Sequence, residues 1–216
     1  MTHVKLISFS QPPGLSKIDC MEDLVAHCAR VSNPANQGKP GRELIKYLIK
    51  HKHWSPFEMV NVCLEIETTR DIARQILRHR SFSFQEFSQR YADPTDELGC
   101  EYRRARLQDT KNRQNSFENQ DLRLEADFTY RQRLHWDHAY DHYEWCVENG
   151  IAKEQARVFL PEGLTLSRMY MNGTLRSWIH YIQLRKPEGT QKEHRVIADM
   201  CRDAIGEVFP LIKELT

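Results

Sequence analysis

The sequence predicts a mixed α/β (α+β) fold, helix-rich with few strands, and three observations carry that expectation. The stretch Met59-Val60-Asn61-Val62-Cys63-Leu64-Glu65-Ile66-Glu67 alternates along its length, with Leu64 and Ile66 on one face and Cys63 and Glu65 on the other. That is the period of a half-buried strand. Most of the remaining ordered chain carries apolar residues at helical spacing. No G-x-G-x-x-G follows a strand and no G-x-x-x-x-G-K-[ST] occurs, so neither a Rossmann nor a P-loop nucleotide site is available. So few strands exclude a doubly wound sheet.

In chain order, Val4 to Phe9 alternates as a strand does, and Met21 to Val31 follows at helical spacing. Arg42 to His51 reads as a second short helix. After the clear strand, Thr68 or Thr69 caps a helix over Arg70 to Arg80 whose Ile72, Ala73, Ile76 and Leu77 form the buried stripe. Gln75, Arg78 and His79 then share another face near its C-terminus. From Ala92 to Gln120 the chain is polar, with Pro94, Gly99 and the arginines Arg103, Arg104, Arg106 and Arg113, and no period. A connection of that length predicts an active-site lid that orders with substrate. Glu125 to Val147 reads as a long aromatic-rich helix and Lys153 to Phe159 as the start of another. Leu164 to Met171 reads as a strand, and Thr174 to Leu184 and Gln191 to Leu215 as helices.

The 216 residues suit one domain over 1–216, large enough for a real core. Lys plus Arg (31) nearly cancel Asp plus Glu (30), so there is no general field for nucleic acid or anionic membrane. The arginines matter by clustering. No apolar run reaches a membrane span, and Met1-Thr2-His3-Val4-Lys5 lacks the apolar core of a signal peptide, so a soluble, cytoplasmic protein is expected. The six cysteines form no C-x-x-C pair, which points to reduced, mostly structural thiols. His135, His138 and His142 share one face of the long helix in the manner of a metal site. The intervening Trp136, Tyr140 and Tyr143 read instead as an aromatic packing stripe, and no metal is expected.

The densest chemistry lies in Arg78-His79-Arg80-Ser81-Phe82-Ser83-Phe84-Gln85-Glu86-Phe87-Ser88-Gln89-Arg90. Guanidinium matches phosphate best, because its planar fork donates paired hydrogen bonds and keeps its charge at any physiological pH. Three such groups this close repel one another unless an anion neutralises them. A solvated basic helix end explains the same cations when they are taken alone.

R-H-R, seven residues, then Ser and Arg two further on, is the signature of the flavin-dependent thymidylate synthases, and here it reads Arg78-His79-Arg80, Ser88, Arg90. The chain resembles that family in further segments. His53-Trp54-Ser55-Pro56-Phe57-Glu58 lies upstream; Ala156-Arg157-Val158-Phe159-Leu160-Pro161, Leu175-Arg176-Ser177 and Leu184-Arg185 lie downstream. The resemblance implies that family's fold, with a small, mainly antiparallel sheet and no Rossmann domain. It implies dUMP contacts from Gln75, Arg78, Glu86, Ser88, Arg90, Arg157 and Arg185. FAD contacts are implied for Ser32, His53, Ser55, Glu58, Arg78, His79, Arg80, Glu86, Thr174, Arg176 and His180. Catalytic roles fall to Arg185 and Ser88, the serine as a ligand to the nucleotide and not as a covalent nucleophile. The chain departs from the family at Ser55, where Thr is common, and at Thr174 and His180, where Asn is found. Gly189 also stands in a run that often offers a histidine.

The implied reaction is reductive methylation of dUMP to dTMP. Methylenetetrahydrofolate supplies the carbon, NADPH reduces FAD, and the flavin supplies the hydride. The family also implies a homotetramer with active sites at subunit interfaces. The rival reading is an RNA- or single-strand-binding module in which Arg78, Arg80 and Arg90 grip phosphates while Phe82, Phe84, Phe87 and Tyr91 stack bases. The near-zero net charge and the absence of an RNA-binding fingerprint stand against it.

Overall fold

The computed structural model describes residues 2–12, 14, 18 and 20–216. Among these, the strands are β1 (His3–Phe9), β2 (Asn61–Thr69), β3 (Ser83–Glu86), β4 (Arg106–Gln108), β5 (Ser116–Glu118) and β6 (Leu166–Thr174). The helices are α1 (Met21–Ala29), α2 (Arg42–Lys50), α3 (Arg70–Ile76), α4 (Pro94–Glu97), α5 (Leu122–Glu148), α6 (Lys153–Ala156), α7 (Leu175–Arg185), α8 (Lys192–Ile205) and α9 (Ile212–Leu215).

The main sheet runs β1-β2-β6-β3 with every neighbouring pair antiparallel, and β4 and β5 form a separate hairpin. The expected helix-rich class with a small antiparallel sheet is what the chain adopts. Alternation explains the layering. Val62, Leu64 and Ile66 of β2 and Met169 and Met171 of β6 are fully buried on one face, where α3, α7 and α8 pack upon them. Trp178 of α7 is buried at the centre, and its indole Nε1 donates to the Val62 carbonyl at 3.0 Å, so the polar edge of the ring is satisfied. The opposite face is polar and partly open, with Arg168 of β6 donating to Glu67 of β2 at 2.8 Å, as an antiparallel sheet allows.

A second, smaller core joins Tyr143 and Cys146 of α5 to Ala156 and Leu160. Asp121 caps α5 by accepting from the amides of Arg123 and Leu124, which starts the helix three residues before the expected Glu125. Trp136, Ala139, Tyr143 and Cys146 face inward, whereas His135, His138 and His142 are exposed. The aromatic stripe, not the histidine row, is the packed face.

Several expectations need correcting. The helix expected over Arg70–Arg80 ends at Ile76, because the chain turns to add β3 to the sheet edge. Thr69 stands at its N-cap, but its hydroxyl donates to the Asp71 carboxylate at 2.7 Å instead of accepting from the helix amides. The single helix expected over Gln191–Leu215 is two, because Pro210 between α8 and α9 lacks the amide proton a continuous helix needs. The segment from Ala92 to Gln120 is not without structure. It contains α4 and the β4–β5 hairpin. Arg103 pairs with Asp71 at 2.6 Å and Arg106 with Glu193 at 2.7 Å, so two of its four arginines already have partners.

Candidate active site

The signature segment leaves α3 at Ile76, turns with the His79 amide donating to the Ile76 carbonyl, and enters β3. The Phe82 ring pins the turn, lying 4.8 Å from Trp178 edge-to-face and 6.2 Å from Phe84. Gly173 of β6 lies directly beneath it, and a Cβ there would overlap the ring. Phe82 and Phe84 therefore pack on the core, which removes them from the base-stacking role of the rival reading. Their alternation with the exposed Ser81, Ser83 and Gln85 is a strand signal within the motif. Arg78 and Arg80 are exposed, and neither has a hydrogen-bond or ion-pair partner among the described residues.

Three of the expected residues meet on the inner side of this turn. Arg185, at the end of α7, donates from Nε to Nε2 of His79 at 2.9 Å. His79 also lies edge-on to Tyr181, with centroids 4.9 Å apart. Burial first, and then the Arg185 charge, push its pKa down to about 4, so the ring is neutral at physiological pH. Gln75 joins through residues that the motif does not contain. His194 of α8, fully buried, lies 3.3 Å from Gln75 Oε1 by Nδ1 and 3.1 Å from the Tyr181 hydroxyl by Nε2. Gln75 Nε2 in turn donates to Gln191 at 2.8 Å. No periodicity singles out a buried polar contact of this kind, since it joins helices 116 residues apart.

Arg157 lies elsewhere, in a cleft of about 360 Å³ lined also by Arg70, Arg74, Gln89, Glu154 and Glu162. Arg90 reaches this cleft through Glu154, whereas Ser88 lines a separate cleft with Glu86, Phe87, Tyr91 and Arg168. Arg90 pairs with Glu154 at 3.0 Å, and Arg157 donates to the Glu154 carbonyl at 3.3 Å. Burial lowers the pKa of Arg70; Glu86 opposes that, while Arg74 and Arg157 add to the lowering by like-charge repulsion. Gln89 is buried, and its Nε2 lacks a partner among the described residues. An unsatisfied buried donor costs about 1–3 kcal/mol until an acceptor arrives. Glu86 is turned inward, accepting from Ser167 Oγ at 2.9 Å. The Ser88 side chain is exposed and its hydroxyl forms no hydrogen bond among the described residues, which suits a ligand group and not an activated nucleophile. Arg70 and Arg74 were not singled out from sequence, although their i, i+4 spacing on one helix face was visible.

The third group follows the turn before β2. Glu58 pairs with Arg176 of α7, and Trp54 meets His180 edge-on at 4.6 Å. Burial, then Arg176, lower the pKa of His180. Ser177 donates to the Ser81 carbonyl at 3.2 Å, which ties this wall to the signature turn. His53 and Ser55 are exposed beside it. Thr174 accepts from the Ser177 amide at 3.2 Å as the cap of α7, so its hydroxyl is engaged in holding the helix start. Ser32, exposed just after α1, forms no hydrogen bond to any other residue of the expected site among the described residues.

The family model of the thymidylate synthase complementing protein matches residues 15–211. A flavin-dependent thymidylate synthase of Synechocystis sp. is 48% identical over 211 residues, covering 97% of this chain and 96% of that protein. A probable flavin-dependent thymidylate synthase of Paramecium bursaria Chlorella virus 1 is 46% identical, covering 96% and 95%. In overall fold the chain is similar to a UMP/dUMP methylase from Streptomyces cacaoi bound with 5-Br dUMP, at a TM-score of 0.79 and 24% identity, covering 100% of this chain and 94% of that one.

Proposed function

The chain belongs to the flavin-dependent thymidylate synthase family, and on that premise we propose that it methylates dUMP to dTMP with FAD as its flavin, methylenetetrahydrofolate as carbon donor and NADPH as reductant. The observation that carries the reading is the arginine-lined cleft beside Ser88 and Arg90, where Gln89 keeps an unmatched buried donor. A nucleotide phosphate supplies the acceptor that Gln89 lacks and a negative charge to match the three lining arginines, which Glu154 and Glu162 offset only in part.

The chain's own groups divide the work. Arg157, Arg90 and the free Ser88 hydroxyl bind the phosphate, beside Arg70 and Arg74, which are themselves paired with Glu86 at 3.8 Å and Glu162 at 2.8 Å. Gln75 and Arg185 hold the pyrimidine by its polar edge, and both arrive oriented by neighbours, Gln75 by His194 and Arg185 by His79. Such preorganisation holds the reacting ring in one pose.

The donor set suits FAD. Arg78 and Arg80 are exposed and unpaired among the described residues, so both guanidinium groups are available to an anionic group at this turn. Arg176, Glu58, His53, Ser55 and His180 form the adjoining wall. When bound, the flavin supplies hydride chemistry that no side chain can provide.

A homotetramer fits the surface. Helix α5 is 27 residues long and buries only Trp136, Ala139, Tyr143 and Cys146 in the protomer, while Tyr130 is 66% and Trp145 58% exposed. No bond among the described residues joins the Gln75–His79–Arg185 group to the Ser88–Arg90–Arg157 group, so a second copy completing each site is the economical arrangement. No described helix is long and apolar enough to cross a membrane. All six cysteines are free thiols, which suits the reducing cytoplasm.

The deciding experiment is dTMP formation by the purified protein with dUMP, methylenetetrahydrofolate and NADPH, each omitted in turn, beside its absorbance spectrum. Flavin absorbance and turnover that needs all three support the proposal. Colourless protein that cannot be reconstituted with FAD, or turnover independent of NADPH, would overturn it.

A further inference from the structure

The amide of Gln75 belongs to a hydrogen-bonded chain whose direction is set from one end. Glu193, in the first turn of α8, accepts two bonds from Arg106 at 2.7 Å each and a third from Gln191 Nε2 at 3.0 Å. Burial opposes its charge, but the helix amide, Gln191 and Arg106 together hold it below the usual carboxylate range. An ionised carboxylate can only accept, so Gln191 must turn its NH2 towards Glu193 and its carbonyl towards Gln75. Gln75 must then donate from Nε2 to Gln191, the 2.8 Å contact, and present Oε1 to His194. Nδ1 of His194 therefore carries the proton, and its bare Nε2 accepts from the Tyr181 hydroxyl at 3.1 Å. Each member has one workable direction.

We propose that His194 is a positioning residue for nucleotide recognition: together with the Glu193–Gln191 arm it locks the Gln75 amide in one of its two orientations, so that the site reads a pyrimidine edge of one donor–acceptor pattern. This rests on the reading above that Gln75 faces the pyrimidine. Gln75 is clamped from both sides, by a donor on its oxygen and an acceptor on its nitrogen. What remains for a ligand is one N–H and one lone pair in fixed places. Without the clamp the amide can flip and offer the inverse pattern at a similar energy, which lowers the bound fraction without touching the hydride step. Neutral His194 is required, and burial, followed by the charge of Arg185 and the neighbouring His79, keeps it so, with a pKa of about 3. Tyr181, itself buried, holds the far side of the ring.

The test uses flavin-loaded protein and two variants that reach Gln75 by different routes. His194→Leu removes the donor. Glu193→Gln leaves His194 in place but removes the acceptor-only end that sets the direction, at a side chain open enough to tolerate the change. The readouts are the dUMP dissociation constant, KM against kcat, FAD content, and the ¹⁵N shifts of the His194 ring. The expected result is weakening of dUMP binding by at least about tenfold in both variants. KM should rise while kcat and FAD content stay near the parent, and His194→Gln, which restores a donor, should recover affinity. In the parent the ¹⁵N shifts should report Nδ1–H and a bare Nε2; in Glu193→Gln the two tautomers should mix. Should His194→Leu fail to fold, Glu193→Gln decides alone. Parent-like dUMP affinity in a folded, flavin-loaded Glu193→Gln overturns the proposal and leaves the functional reading standing. A parent that binds FAD but no dUMP overturns that reading and this one with it.

Discussion

Arg185 and His79, 106 residues apart, share a hydrogen bond of 2.9 Å in which the guanidinium donates and the imidazole accepts. The bond requires a neutral ring, and it explains how two basic groups occupy adjacent positions without repulsion. Removing the cation should let the ring take a proton more readily. In Arg185→Leu we expect the His79 pKa to rise from about 4 but to stay below its ordinary value of 6.5, because burial is the larger cause of the depression. An NMR titration of the ring measures this, and an unchanged pKa would refute the coupling.

Acid should weaken the fold through the same histidines. His79 and His194 have native pKa values near 4 and 3, against 6.5 when unfolded. The unfolded chain thus binds more protons between these limits. Their contribution is fully present above pH 6.5 and is lost as pH falls from there towards 4, at up to about 1.4 kcal/mol per pH unit for each proton taken up on unfolding. Urea denaturation from pH 7 to 5 should follow that slope, and His194→Phe should flatten it. A pH-independent unfolding free energy across this range would exclude the effect.

Arg80 and Arg90 should separate the two ligands. Arg80 is exposed and unpaired among the described residues, whereas Arg90 lies against Glu154 at the arginine-lined cleft. We expect Arg80→Ala to cost FAD retention, and Arg90→Ala to cost dUMP affinity, each on the order of 1.5–3 kcal/mol for the ligand it serves. Equal losses of both ligands in either variant would contradict the division.

Gly173→Ala tests the seat of the signature turn. A methyl group there meets the Phe82 ring, which Trp178 already crowds from the other side. Overpacking should destabilise the protein by about 1–3 kcal/mol. Amide exchange over residues 78–82 should quicken more than exchange in β2, and uniform protection across both would show that Phe82 does not pin the turn.

The cysteines should be dispensable for chemistry. Burial raises the thiol pKa of Cys28, Cys63 and Cys100, away from the thiolate that thymidylate synthases of the cysteine-dependent kind add to uracil. Replacing Cys28 and Cys100 by Ser, singly and together, should keep dTMP formation within about tenfold of the parent, or roughly 1.4 kcal/mol in barrier. Abolished turnover in folded, FAD-loaded variants would bring a thiolate back into the mechanism.

Much of this was legible in the amino-acid order alone, because it depends on local periodicity and on spacing along the chain. The alternation from Met59 to Glu67 pointed to the central strand, which runs two residues later over Asn61–Thr69, and to the face it buries, and the spacing Arg78-His79-Arg80, Ser88, Arg90 pointed to the family. The end of α3 at Ile76 was not legible, since the periodic stripe runs on to Leu77 and only the sheet edge offered by β6 draws Ser83 to Glu86 into pairing. Likewise the neighbours of Thr174 and Glu86 in space, Ser177 and Ser167, which each donate a hydrogen bond to them, were not legible in the sequence. His194 and Gln89 stood out in no pattern. Their meaning comes from burial, and burial of a polar group is decided by which distant elements close over it; only then does the energy of an unmatched donor, or of one hydrogen-bond direction over another, come into force.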